Sequence, residues 1–219
     1  MATRQLLAEL TQDYTRQTGQ AVQIESLGGV EALRRVQAGE AFDVVFLASD
    51  AINKLLASGH ALAGSRVDLV HSGVAVAVRE GAPAPDIGSE EALRAAVLAA
   101  PSLSYSTGPS GVALARLFDR WGIAQQIQPR LVTPPPGVPV GSLVARGEVA
   151  LGFQQLSELM HLPGITVLGP LPASVQITTT FSGAVCSTSA HPEAVRALLA
   201  ALSDPEATPA KLRQGMTPA

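Results

Sequence analysis

The stretch Ser104-Tyr105-Ser106-Thr107-Gly108-Pro109-Ser110-Gly111, running directly into Val112-Ala113-Leu114-Ala115-Arg116-Leu117-Phe118, decides the fold. A small-residue loop that ends a strand and opens a helix offers free backbone N–H groups, hydroxyls and the positive end of the helix dipole. That is a place to hold an anion. An ordinary N-cap, with Thr107 or Ser110 satisfying the first-turn donors, accounts for part of the pattern. The glycines on either side of Pro109-Ser110 add something a cap does not need, because they remove the Cβ atoms that keep a ligand off the backbone. A second loop of similar build, Glu25-Ser26-Leu27-Gly28-Gly29-Val30, opens another helix.

Outward from these loops the chain alternates strands and helices. The apolar spacing predicts a helix over 3–17, a short strand over 22–26, a helix through Ala32, Leu33 and Val36 stopped at Gly39, and a buried strand over 43–47. A helix over 50–58 and a long β-branched run over 67–78, interrupted by His71-Ser72-Gly73, follow. A second alternating set comprises a helix over 89–99, a strand over 102–105, a helix over 110–121, a strand over 130–133, a helix over 138–146 and a strand over 149–153. Pro134-Pro135-Pro136-Gly137 reads as a stiff loop ahead of a helix. A short strand over 165–168, an extended run over 176–185 and two closing helices near 192–202 and 205–214 complete the pattern. The expected class is α/β, two doubly wound sheets joined by two crossover strands. The lobes are 1–74 with 179–219, and 75–178.

Composition excludes several functions. The chain has 219 residues, 15% charged and 47% hydrophobic, with a formal net charge of −3. Its lysines stand only at Lys54 and Lys211, and Arg34, Arg35, Arg66, Arg79, Arg116, Arg120 and Arg130 are scattered and read as solvated surface, so no basic track for nucleic acid or lipid emerges. Cys186 alone cannot form an intramolecular disulfide, and four scattered histidines suggest no metal site. No cofactor is expected, and no run approaches the roughly 18 apolar residues of a membrane span. The compartment is periplasmic if an export signal precedes this sequence, and cytoplasmic otherwise. The expected state is a monomer.

Nucleotide binding is disfavoured: the Thr107–Gly111 loop does not match GxxxxGK[ST], and no GxGxxG follows the first strands. Gly108-Pro109-Ser110-Gly111 is one residue short of a G-x-S-x-G elbow, and Cys186 sits in an apolar strand end as packing. His71 and Ser72 read either as a hydrogen-bonded core pair or as ligand contacts near a hinge. Gln154-Gln155 end a buried strand at the usual ligand edge of an α/β sheet, where two amides can read carboxylate or hydroxyl groups. Thr178-Thr179-Thr180 fits an edge strand, with one threonine free to face a ligand. His71 or Glu148 is the candidate base for proton transfer, provided its surroundings desolvate it.

Three segments carry a family resemblance: Val30–Val44, Gly108-Pro109-Ser110-Gly111 with its helix, and Arg146-Gly147-Glu148-Val149-Ala150-Leu151-Gly152-Phe153. In order and spacing they resemble the periplasmic molybdate-binding proteins and their type II relatives among ABC-transporter solute-binding proteins. The resemblance implies a two-lobed fold that closes around a small anion and delivers it to a permease. It implies a site from Ser26, Gly28, Gly29, Val30, Ser72, Thr107, Gly108, Ser110, Gly111, Gln154, Gln155, Thr178 and Thr180. The family carries hydroxyls where this chain has Gly29-Val30, and its first strand and serine loop precede the point where this chain begins. These departures, with the two glutamines, suit a di- or tricarboxylate as well as an oxyanion. The resemblance extends to an aconitate isomerase-like branch, in which a proton leaves one carbon next to a carboxylate and returns at another.

Overall fold

The computed structural model describes residues 1–135 and 137–219. In chain order the elements are α1 (Arg4–Thr18), α2 (Gly29–Gln37), β1 (Val44–Ala48), α3 (Ser49–Ala57), β2 (Val67–Arg79), α4 (Glu90–Ala99), β3 (Leu103–Tyr105) and α5 (Pro109–Arg120). Then come α6 (Ala124–Ile127), α7 (Val140–Ala145), β4 (Leu151–Gln155), α8 (Leu156–Leu159), β5 (Ile165–Pro170), β6 (Thr178–Val185), α9 (Pro192–Ser203), α10 (Thr208–Arg213) and β7 (Met216–Pro218). The chain divides into two compact units: Met1–Ser72 with Thr179–Ala219, and Gly73–Thr178. Strand β2 leaves the first unit between Ser72 and Gly73, and β6 re-enters it between Thr178 and Thr179.

In the first unit β1 pairs antiparallel with β6, Val44 opposite Val185 through Ala48 opposite Phe181, and the first half of β2 pairs with β7. The apolar stripe of α1, Leu6, Leu7, Leu10 and Tyr14, packs with Leu69 and Val70 of β2 and with Leu198 and Leu202 of α9. Another face gathers Val36 of α2, Ile52 and Leu55 of α3, and Val45 and Leu47 of β1. Helix α1 stops where periodicity and glycine place its end: Gly19 adopts φ +74° and returns its N–H to the Thr15 carbonyl.

In the second unit β2, β4 and β3 form the central sheet, β4 antiparallel to β2 and parallel to β3, with β5 along the far end of β2. The period of two is visible in β2, where Val74, Val76 and Val78 enter one core while Ala75 and Ala77 enter another. Both faces are buried, which is why β2 reads in the sequence as a nearly continuous apolar run. Phe118 of α5 and Phe153 of β4 meet edge to face at 6.0 Å in the larger core, with Leu93, Leu103, Leu114 and Leu151 around them. Ser89 caps α4 by accepting the Ala92 N–H at 3.1 Å, and Trp121 at the end of α5 donates to Glu90 of α4 at 2.7 Å.

Two expected strands are absent. Residues 22–26 alternate half-buried Val22, Ile24 and Ser26 with exposed Gln23 and Glu25, yet form no ladder. The alternation reflects one side resting on the core, and it does not by itself supply a pairing partner. At 130–133 the chain leaves a 3-10 turn, Gln128–Arg130, and makes a single bridge, Leu131 to Leu103. Pro134 and Pro135 follow and have no N–H with which to extend the pairing. The expected stiff loop includes Pro136, which lies outside the described residues. The expected strand over 149–153 is β4, displaced two residues toward the C-terminus, so that Gln154 and Gln155 are in the strand and all five of its residues are buried.

Candidate functional site

The parallel pairing of β3 with β4 sets the second unit's polar edge. Leu103, Ser104 and Tyr105 stand opposite Leu151, Gly152 and Phe153, so Ser106 leaves β3 at the carboxyl edge where β4 continues through Gln154 and Gln155. Helix α5 begins there, with Gly108 as its N-cap in extended backbone and Pro109 in the first turn. No side chain caps this end. The sequence leaves an ordinary cap as one reading of Thr107 and Ser110, and the structure goes the other way. Thr107 is exposed, and the buried Ser110 hydroxyl lies 3.0 Å from that of Ser106. The first-turn N–H groups of α5 thus take no side-chain cap.

Gly111 is required by contact. A Cβ there would stand 1.5 Å from the Ser106 carbonyl oxygen, so the turn is folded directly onto the helix backbone. A hollow of about 210 Å³ opens beside this loop, lined by Tyr105, Ser106, Thr107, Gly111, Val112 and Leu131 among others.

Gln154 is 4% exposed, and its side chain is committed. Its Oε1 accepts the Gly141 N–H at 3.1 Å, closing the start of α7, and its amide bonds the Glu158 carboxyl in α8. It holds its neighbours in place. Gln155, buried at the end of β4 opposite Val74, is next along the same edge. Burial is the largest influence on the Glu158 carboxyl and pushes it above the usual carboxylate range. The sequence signal for it was a lone acid among Leu156, Leu159 and Met160, directly behind a fully buried strand. Glu148 has the opposite surroundings: it is exposed and paired with Arg146, which holds its carboxyl below the usual range. The desolvation that its proposed role requires is not met.

In the first unit α2 also starts without a side-chain cap, at Gly28, with Gly29 3.8 Å from Leu47 of β1 by its virtual Cβ and Val30 71% exposed. The preceding loop is pinned by Arg35, which bonds Glu25 and Glu40 at 2.6 and 2.7 Å and lies 5.0 Å from the Phe42 ring. Ser26 is half-buried in that loop. At the carboxyl edge of β1, Ser49 begins α3 and donates to the Thr180 carbonyl at 2.9 Å. The Thr180 hydroxyl lies 2.9 Å from His71 Nδ1. Ser182, fully buried, donates to Asp68 at 2.5 Å, and Asp68 takes a two-point grip from Arg66. That guanidinium, ahead of the Ser182 bond, holds the Asp68 carboxyl below its ordinary value. Ser72 is fully buried on β2, and Thr178 is exposed where β6 starts. His71 and Thr180 thus come together, Ser49 joins them unforeseen, and Arg35, Arg66 and Arg130 serve structural partners.

The mixed α/β architecture is that of the type II periplasmic-binding-protein fold. Solved structures carry the same fold. The periplasmic molybdate-binding protein of Azotobacter vinelandii matches with a TM-score of 0.80 at 21% identity, over 99% of this chain and 95% of that one. AgtB from Agrobacterium tumefaciens R10, in complex with agropinic acid, matches at 0.74 and 11% identity, over 100% and 80%. The chain belongs to the bacterial extracellular solute-binding protein family, whose model matches residues 1–217. A relative from a Pseudomonas species, named aconitate isomerase, is 42% identical over 97% of this chain and 83% of its own length.

Proposed function

We propose that this solute-binding protein takes a small polycarboxylate of the aconitate class. The 42% identity to an aconitate isomerase over nearly the whole chain carries the choice of ligand. The chemistry of the edges supports it. Neutral N–H groups, hydroxyls and the Gln155 amide can spread over several carboxylates, whereas the hydroxyl expected to grip a tetrahedral oxyanion is replaced at Gly29-Val30. Ser26, Gly28, Gly29 and Val30, the Thr107, Gly108, Ser110 and Gly111 loop, Gln155, Ser72, Thr178 and Thr180 are the proposed contacts, with Gln154 acting through Glu158. The protein works as a monomer outside the cytoplasm and hands its ligand to an ABC-transporter permease.

A thermal-shift screen tests the ligand class. Ligand at 100 times its Kd stabilises by about 2.7 kcal/mol, or about 5–11 °C in a chain of this length. The expected order places trans-aconitate, cis-aconitate and citrate above molybdate, tungstate and sulfate. A larger shift with molybdate than with any carboxylate refutes the proposal.

A second reading, favoured by the relative's name and by the half-buried carboxyl of Glu158, is that the ligand is also isomerised. Proton abstraction beside a carboxylate needs one base and a field of donors for the charge that forms; in this reading Glu158 is the base and the first-turn N–H groups of α5 are among the donors. Conversion of trans- to cis-aconitate, followed by absorbance or proton NMR, is the direct assay, and absence of turnover leaves a binding protein.

A further inference from the structure

We infer that Glu158 is the proton-transfer group of this protein and that Gln154 positions it; the inference rests on the isomerase reading. Four observations point to it. Glu158 lies in the turn of α8 that follows directly on the carboxyl end of β4. It is partly open to solvent while both glutamines beside it are buried. Its carboxyl is steadied by Gln154, which is itself fixed to the backbone of α7 through Gly141. Burial favours the protonated form, which brings its proton affinity nearer to that of a working acid–base group.

The other candidates are engaged elsewhere. Glu148 is exposed and ion-paired, and the Cys186 thiol is buried and pushed up to about 12. His71 has its Nδ1 on Thr180 in the strand network of the first unit.

The step balances without a redox partner. The Glu158 carboxylate takes a proton from the methylene carbon of an unsaturated tricarboxylate; that C–H bond breaks, an O–H bond forms, and the electron pair spreads through the adjacent double bond into a carboxylate. The same proton, or one exchanged from solvent, then passes to the far allylic carbon. The O–H bond breaks, a C–H bond forms, and the double bond has moved by one position. The α5 N–H groups and Gln155 lie at the same edge, where the intermediate's added negative charge needs donors.

The test uses the full chain with trans-aconitate in D2O, followed by proton NMR for both isomerisation and deuterium uptake at the methylene carbon, with calorimetry for binding. Native protein is expected to isomerise and to exchange. Glu158→Gln is expected to lose at least about 100-fold in both rates while binding trans-aconitate within about tenfold of native. Glu158→Asp retains part of the rate, and Gln154→Leu lowers kcat with little change in KM. Native turnover with Glu158→Gln within tenfold of it overturns the role of Glu158 and leaves the isomerase reading standing. Binding of trans-aconitate by native protein without isomerisation or exchange overturns both.

Discussion

Gly111→Ala probes the site's construction most sharply. The added methyl would stand 1.5 Å from the Ser106 carbonyl oxygen and 2.7 Å from its carbonyl carbon. A carbon–oxygen contact sits at about 3.3 Å, so the turn must retreat by about 1.8 Å or the helix must unwind at its start. Neither move is cheap, because the hydroxyls of Ser106 and Ser110 are joined across that gap and Ser110 is buried. Forced overpacking of this kind costs about 2–4 kcal/mol, which lowers Tm by about 4–16 °C in a chain of this size. The first-turn N–H groups move with the loop, so trans-aconitate affinity falls as well. Gly108→Ala, three residues away, is the matched control. Its methyl would meet nothing nearer than the Ser106 hydroxyl at 3.9 Å, at an ordinary φ of −83°, and its stability stays within about 1 kcal/mol of native. Differential scanning calorimetry of the two variants reads the difference. A Gly111→Ala protein that melts with native, or together with Gly108→Ala, refutes the close approach of turn and helix.

Glu158→Gln is expected to be more stable than native at pH 7. The folded-state carboxyl is raised by burial, so its stabilisation is present below the unfolded pKa and is lost as pH rises through the folded one; urea midpoints of the two proteins therefore diverge with increasing pH. Asp68 has the opposite sign. Held low by Arg66, it contributes stability above the unfolded carboxylate pKa of about 3.9 that disappears as pH falls through the folded value, and Asp68→Asn flattens that acid limb in the same assay. Cys186, 1% exposed with its thiol pushed up to about 12, reacts with a disulfide reagent only after unfolding, and prompt reaction in the native state contradicts its placement.

The fold was legible wherever a periodic apolar pattern met a local stop. Helix α1 has both: a stripe from Leu6 to Tyr14 and Gly19 to end it. The strands over 22–26 and 130–133 were misread because alternation and β-branched residues mark a half-buried surface, while a ladder requires a partner that lies elsewhere in the chain. The site divides in the same way. Glycines at 108 and 111 and hydroxyls at 106 and 110 announce an open helix start, and the geometry supplies the reason for Gly111. Gln154 was visible as a polar residue at a strand end, but its engagement with Gly141, thirteen residues back, belongs to tertiary structure. Glu158 was missed because α8 has only four residues, too few for periodicity to mark a face. Glu148 drew attention by its place beside β4, and its ion pair with Arg146 appears only once side chains are placed.

Titration calorimetry of the native chain with trans-aconitate and, separately, with molybdate tests the central claim most directly. Saturable binding of trans-aconitate at one site, tighter than molybdate by at least about tenfold, or about 1.4 kcal/mol, is the predicted result. Molybdate bound at one site with trans-aconitate giving no heat would contradict it.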